Sequence, residues 1–334
     1  MKSFNTPVKI FVKSNNDSIK IINKYNLSLI YFSIITIIIN IFIGNKELSF
    51  SLIKSIIISL FITTIISYII NIIKKEYNIL KLYTEDSIIS ISIIIAFFSI
   101  NTNIYIIILS ILVTIIIKTL FKNINISSSL YGILLILLYK YLNNNINTPL
   151  TIASSLKYNL SYGELIDLGG GVKNYLFGIS YLNPILSIFA FIYLFSHKSI
   201  KYSLVFSYIL TFFLIMSLYG IFNGLNIWFS ILQLLTGATL FLSIYTLPDY
   251  KITPITSEGN IIYGIILAII SVILRLIIPE LSIILTFIIG PILLTNIIDK
   301  ISPTLKYNNK LYIGLIIFLM AIIIFVTYLL SVLI

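Results

Sequence analysis

Within a strongly apolar chain, the side chains that could do chemistry gather between Leu234 and Asp299. This stretch holds LLTGAT at 234–239, LPD at 247–249, TPITSEG at 253–259, IYG at 262–264, Arg275, Pro279-Glu280 and NIID at 296–299. Thr236, Gly237 and Thr239 allow two readings. Small residues let helix backbones approach and threonine hydroxyls bond to carbonyls inside a membrane, or the same string contacts a bound polar group. Arg275 is the sole arginine. A charge at mid-membrane costs roughly 2.5–3.5 kcal/mol on insertion scales, so it needs a partner or an interface, and snorkelling to the outer surface is the simpler expectation.

Several chemistries are excluded. With no cysteine and a single histidine, His197, this chain alone cannot ligate an iron–sulfur cluster, a structural zinc or a bis-histidine haem. No Ser-His-Asp set or carboxylate pair supports hydrolysis. Asp167-Leu168-Gly169-Gly170-Gly171 has glycines whose N–H groups could approach an anion. It lacks the strand–glycine–Lys–Ser/Thr–helix order of a phosphate loop and reads as a flexible connection. His197 beside Lys198 reads as interfacial.

The elements that must position these residues are membrane helices. The chain has 334 residues, of which 59% are hydrophobic and 10% charged, with a mean hydropathy of +1.08. That is far from a soluble domain. A hydrocarbon core about 30 Å thick needs roughly 20 apolar residues in helix. Apolar runs predict spans at 26–44, 51–73, 87–100, 104–117, 127–142, 176–196, 202–220, 227–246, 261–278, 282–298 and 311–334. The expected fold class is an all-α polytopic membrane protein of ten to eleven transmembrane helices. The third and fourth spans are short, and Asn101-Thr102-Asn103 between them is either a true loop or the tip of a re-entrant pair. The first run has no small-residue cleavage site after it and reads as a retained anchor.

Lysines set the orientation. With a cytoplasmic N-terminus, sixteen fall in inside loops, while the outside loops hold Lys46, Lys157 and Lys173. Lys54, Lys140 and Arg275 then lie near outer span ends. The net charge of +11 reads as this topology signal and not as nucleic-acid binding. Segments one to five and six to ten form two sets of odd number, so a duplicated unit would sit inverted in the membrane. Each set has a polar third member: Glu85-Asp86-Ser87 into Ser90, Ser92 and Ser99, and Gln233 to Thr239 ending at Asp249. The organisation expected is an N-terminal cytoplasmic segment (1–25), a first helical repeat (26–142), an extracytoplasmic loop (143–175), a second repeat (176–298), and a basic loop with an extra C-terminal helix (299–334).

The order of motifs after Leu234 resembles the D subunit of Rnf-type electron-transport complexes and the related B subunit of the sodium-pumping NADH:quinone reductase. The shared features are a small-Gly-Ala-Thr string in a helix, an Asp loop, a glycine ten residues after the Asp (Asp249 to Gly259), an aromatic-Gly pair and an Arg. Ser207-Tyr208 and the Tyr-rich, basic stretch Tyr193 to Lys198 also resemble family elements. The resemblance implies a flavin mononucleotide attached through its phosphate to a threonine on an outer loop. In Asn145-Ile146-Asn147-Thr148-Pro149-Leu150 the acceptor implied is Thr148, with Asn147 beside it, although Leu142, Asn145 and Asn147 stand where the family pattern has Asp, Ser and Ala. Thr236, Gly237, Thr239, Asp249 and Arg275 are implied flavin-contacting candidates, Arg275 as a counter-charge for a flavin or a neighbouring subunit. A second flavin is compatible with these positions.

The resemblance further implies partner membrane and peripheral subunits, a flavin transferase, and a bacterial inner-membrane location. The expected function is electron relay coupled to sodium or proton translocation by a subunit not catalytic alone. An inverted-repeat permease without redox activity, and a flavin-less scaffold of the same family, are the competing readings. No metal site is expected.

Overall fold

The structure, a computed structural model, describes residues 15–44, 46–73, 88–99, 102–120, 128–143, 184–235, 238–248, 253–278 and 281–333. These residues form twelve helices: α1 (Asn15–Ile43), α2 (Lys46–Ile73), α3 (Ile88–Phe98), α4 (Ile104–Leu120), α5 (Ser128–Leu142) and α6 (Pro184–Ser196), followed by α7 (Tyr202–Phe222), α8 (Ile227–Leu235), α9 (Thr239–Tyr245), α10 (Ser257–Ile277), α11 (Ser282–Tyr307) and α12 (Asn309–Leu333). Among the described residues six are long and apolar enough to cross a membrane, and α8 with α9, bent by 48° at the break between them, are together apolar enough to count as a seventh if they form one span. The protein is an all-helical, multi-pass membrane protein.

Isoleucine is a middling helix former in water, but in lipid every backbone N–H and C=O must be satisfied within the segment, and the helix does this. Serine and threonine follow the same rule. Their hydroxyls fold back onto carbonyls three or four residues earlier, as Thr36 does to Phe32 at 2.7 Å, Thr63 to Ser59 at 2.8 Å and Thr286 to Ser282 at 2.7 Å. A polar residue can therefore sit in an apolar span without water.

Helix pairing echoes across the two halves. In the first half α2 packs on α3 and α4, α4 on α5, and α1 on α3. In the second, α7 packs on α8 and α10, α10 on α11, and α6 on α9. The halves meet through α1 against α6 and α5 against α11, which are counterparts in such a scheme. Gly132 of α5 approaches Ser110 of α4, and Gly290 of α11 lies against Leu267 of α10, so the fourth-to-fifth contact uses a glycine in both halves.

Two expected elements differ. The run 227–246 is broken, because Ala238 takes a left-handed conformation (φ 66°) in which a right-handed helix cannot continue. The basic loop expected from residue 299 is helix, since α11 runs to Tyr307 and only Asn308 separates it from α12. The end of an apolar run marks where the membrane ends, whereas backbone hydrogen bonding carries the helix beyond it.

Lys140 was expected to snorkel, and it is instead buried. Its Nζ donates to the carbonyl of Phe98 at 2.8 Å, at the C-terminus of α3. There the unpaired carbonyls and the negative end of the helix dipole favour a cation. Lys140→Met should cost about 1.5–3 kcal/mol, the worth of a charge-assisted hydrogen bond, measured by unfolding in detergent; an unchanged midpoint would show that the cap contributes nothing.

Candidate functional site at the broken span

The break between α8 and α9 places the residues singled out in the sequence. Thr239 opens α9, fully buried, and all of Thr239–Tyr245 is buried with it. Three residues before the string, Gln233 of α8 accepts a hydrogen bond from Arg275 Nε at 3.1 Å. Arg275, on the last turn of α10, is 2% exposed. The outer-surface snorkelling expected for it is therefore replaced by an internal tie to α8, next to the break. Leu235 ends α8, so the guanidinium also stands near that helix's carbonyl-rich end. Thr148, Asn147, Thr236, Gly237 and Asp249 lie outside the described residues, as do Glu85, Asp86 and the glycines at 169–171.

Around α9 lies an aromatic cluster that sequence reading did not find. The Phe241 ring meets Tyr245 at 4.9 Å, Phe32 at 5.4 Å, Phe97 at 5.6 Å and Phe98 at 6.5 Å. The rings come from α1, α3 and α9, so the polar third members of both halves meet the first helix here. The spacing of Phe241 and Tyr245, one helical turn, was the available signal, but in a chain with 22 Phe and 23 Tyr it does not stand out.

The motif after the break builds a clasp at the lysine-rich end. Thr256 caps α10, its Oγ1 accepting from the Gly259 amide at 3.0 Å. Lys201, just before α7, donates to Thr253 Oγ1 at 2.6 Å and to the Pro254 carbonyl at 2.8 Å. Asp299 of α11 accepts from the Ile255 amide at 3.0 Å. A Cβ on Gly259 would stand 3.0 Å from Ser302 Cβ and 3.2 Å from Pro254 Cβ, so glycine there lets α10, α11 and the loop close together. A Cβ on Gly264 would fall on Ser207 Oγ and stand 2.9 Å from the Leu204 carbonyl. Glycine ten residues after the Asp, the aromatic-Gly pair and the Ser207-Tyr208 pair are thus parts of one α7–α10–α11 contact.

A family model for NQR2, RnfD and RnfE matches residues 9–307. The chain belongs to that family. Its match ends at the last residue of α11, leaving α12 beyond it. No curated protein gives a match. Family membership makes this chain a membrane subunit of the Rnf/Nqr type of multi-subunit complex and carries electron and ion transport as its general setting; it does not separate the D-type from the E-type member.

Of the flavin-contacting candidates in the NQR2/RnfD/RnfE pattern, Thr239 and Arg275 lie among the described residues, and both are buried. Thr239 is 0% exposed within a helix whose every residue is buried. Arg275 is engaged by Gln233 inside the bundle.

Proposed function

We propose that this chain is an RnfD-like subunit that carries flavin mononucleotide on Thr148 and relays electrons within a complex that couples them to sodium or proton movement. The observation that carries the reading is the family match across nearly the whole chain, including the 143–175 loop. The burial of Thr239 supports it by elimination, since the competing threonine of the better-matching string is inaccessible to a transferase. The group would supply the redox chemistry, its ring accepting and passing electrons, while the chain holds the ring's phosphate and fixes its place. The lysine distribution supports an inner-membrane protein with a cytoplasmic N-terminus and the 143–175 loop outside. Sister membrane and peripheral subunits and a flavin transferase are the partners this reading requires.

The paired packing of α1–α5 and α6–α11 supports an inverted five-plus-five repeat with α12 appended. A broken span buried at the meeting of the two halves is where such folds place an ion route.

Co-expression with a flavin transferase from the same organism, followed by a denaturing gel under ultraviolet light and peptide mass spectrometry, tests the assignment. The expected result is a fluorescent chain with its adduct on the Thr148 peptide, lost in Thr148→Val. A chain without flavin in the presence of an active transferase would overturn it and favour the scaffold or permease reading.

A further inference from the structure

The chain leaves α6 through a turn centred on Lys198. The Lys198 amide donates to the Phe195 carbonyl at 2.9 Å and the Ser199 amide to that of Leu194 at 3.0 Å. These are the paired bonds of a helix stop whose central residue is left-handed, a place that glycine fills at least cost. Lys198 takes that conformation, with φ 53°, and its side chain is exposed. The start of α1 meets the same turn, where Lys24 Nζ donates to the His197 carbonyl at 3.4 Å. That bond is long and engages one of three ammonium hydrogens. Lys20 lies one turn before Lys24 on α1 and is exposed. Among the described residues no carboxylate pairs with Lys20, Lys24 or Lys198.

Apolar surface runs away from these cations on both helices. Positions 20, 24, 27, 31, 34 and 38 of α1 recur at helical spacing and share one face. Beyond the two lysines that face is exposed and apolar or aromatic: Leu27, Tyr31, Ile34 and Ile38. Because Lys24 on this face reaches the end of α6, the face borders α6 there. On α6, Ile188, Ile192 and Phe195 make a matching exposed stripe that leads to the turn. The Phe195 ring meets that of Tyr202, also exposed, edge-on at 5.7 Å, so an aromatic pair flanks Lys198 at the level where membrane proteins place such rings, beside the headgroups. Leu27 to Ile38 advances eleven residues along α1. At about 1.5 Å per residue this is roughly 16 Å, one leaflet of a core about 30 Å thick.

We propose that the corner where α1 begins and α6 ends binds one anionic phospholipid, with its phosphate held by Lys24 and Lys198 and its acyl chains lying along the apolar stripes of the two helices. Charge and length both match this occupant. Ammonium groups drawn from two helices face a phosphodiester without a competing carboxylate, and basic pockets between membrane helices take anionic headgroups. Membrane orientation accounts for lysine on this side of the protein, but it does not account for lysine in place of glycine at a left-handed turn. The α1–α6 contact is one of the two through which the halves of the molecule meet. A lipid held by a lysine from each helix therefore ties the halves together at the membrane surface, and a ligand that binds the folded protein alone stabilises it. The site stands whether or not the chain carries flavin.

Native mass spectrometry of the full chain in a neutral detergent, with phosphatidylglycerol or phosphatidylcholine added, reads occupancy, and thermal unfolding in the same mixtures reads its effect. Phosphatidylglycerol should bind severalfold more than phosphatidylcholine and raise the unfolding midpoint, with the gain fading as salt is raised. Lys24→Gln and Lys198→Gly should each weaken phosphatidylglycerol binding about fivefold, the worth of one lysine at an anionic surface. Lys198→Gly also relaxes the left-handed position, so its midpoint without lipid should stay near wild type, and a lost lipid response there does not come from damage to the fold. Lys310→Gln, at an exposed lysine near the start of α12, is the control and should bind lipid as wild type does. Equal binding of the two lipids, an equal rise with inorganic phosphate alone, undiminished binding by Lys198→Gly, or the same loss in Lys310→Gln overturns the site. If Lys24→Gln does not fold, Lys198→Gly and its control still decide.

Discussion

Gly264→Val is expected to destabilise the protein by about 3 kcal/mol or more, at the upper end of overpacking costs. The reason is that the obstructing atoms are backbone. A Cβ at 264 stands 2.9 Å from the Leu204 carbonyl and 3.1 Å from the Tyr208 amide nitrogen, both inside α7, and neither can rotate away. Ser207 Oγ, which also obstructs, is the end of a small side chain bonded to the Leu204 carbonyl at 2.9 Å and could be displaced. α10 would have to back away from α7, and the clasp around Lys201, Thr253 and Asp299 is carried on that same contact. Gly314 gives the control, because a Cβ there meets nothing. Gly314→Val should therefore leave the unfolding midpoint close to wild type. If the two variants unfold alike, helix crossing at Gly264 is not what holds the second half together.

The sequence made the polytopic helical fold legible because lipid leaves the backbone few choices, and apolar run length reports directly on that constraint. It placed α7 and the starts of α5 and α11 well. It missed the break in 227–246. The Thr236-Gly237-Ala238 string is compatible with a continuous helix, and the left-handed backbone of Ala238, at the start of α9, has no signature in an alanine; α9 itself packs on α6 and α7, distant in sequence. Arg275 and Lys140 were misread for a related reason. Depth along a span can be counted, but whether a charge faces lipid or a neighbouring helix depends on partners distant in sequence, Gln233 for one and the Phe98 carbonyl for the other.

The motif carried more structure than chemistry. Gly259, Gly264, Ser207-Tyr208 and Asp299 were marked as family spacing, and their geometry makes them the contact surfaces and anchors of one helix triad. A spacing that persists because three helices must approach closely looks the same in a sequence as one that persists for a cofactor. The proposed flavin attachment at Thr148 lies apart from this contact, and the gel experiment is directed there.

Phe241→Ala should be the most damaging single change in the centre of the molecule, by about 3–5 kcal/mol. Phe241 is 1% exposed and its ring touches four others, from α1, α3 and its own helix α9. Edge-on and tilted ring pairs add roughly 0.5–1.5 kcal/mol each beyond burial. Removing the ring opens a cavity lined by Phe32, Phe97, Phe98 and Tyr245, and these are held from three different helices that cannot collapse together onto it. α9 spans only seven residues and has a left-handed residue at its start, so packing is what keeps it in place. Phe241→Leu keeps most of the volume and should cost under about 1.5 kcal/mol. Thermal unfolding of the two variants in the same detergent separates the outcomes. A large loss for alanine with a small one for leucine fits a volume-filling ring, whereas equal losses would mean that ring geometry sets the position of the half-helix.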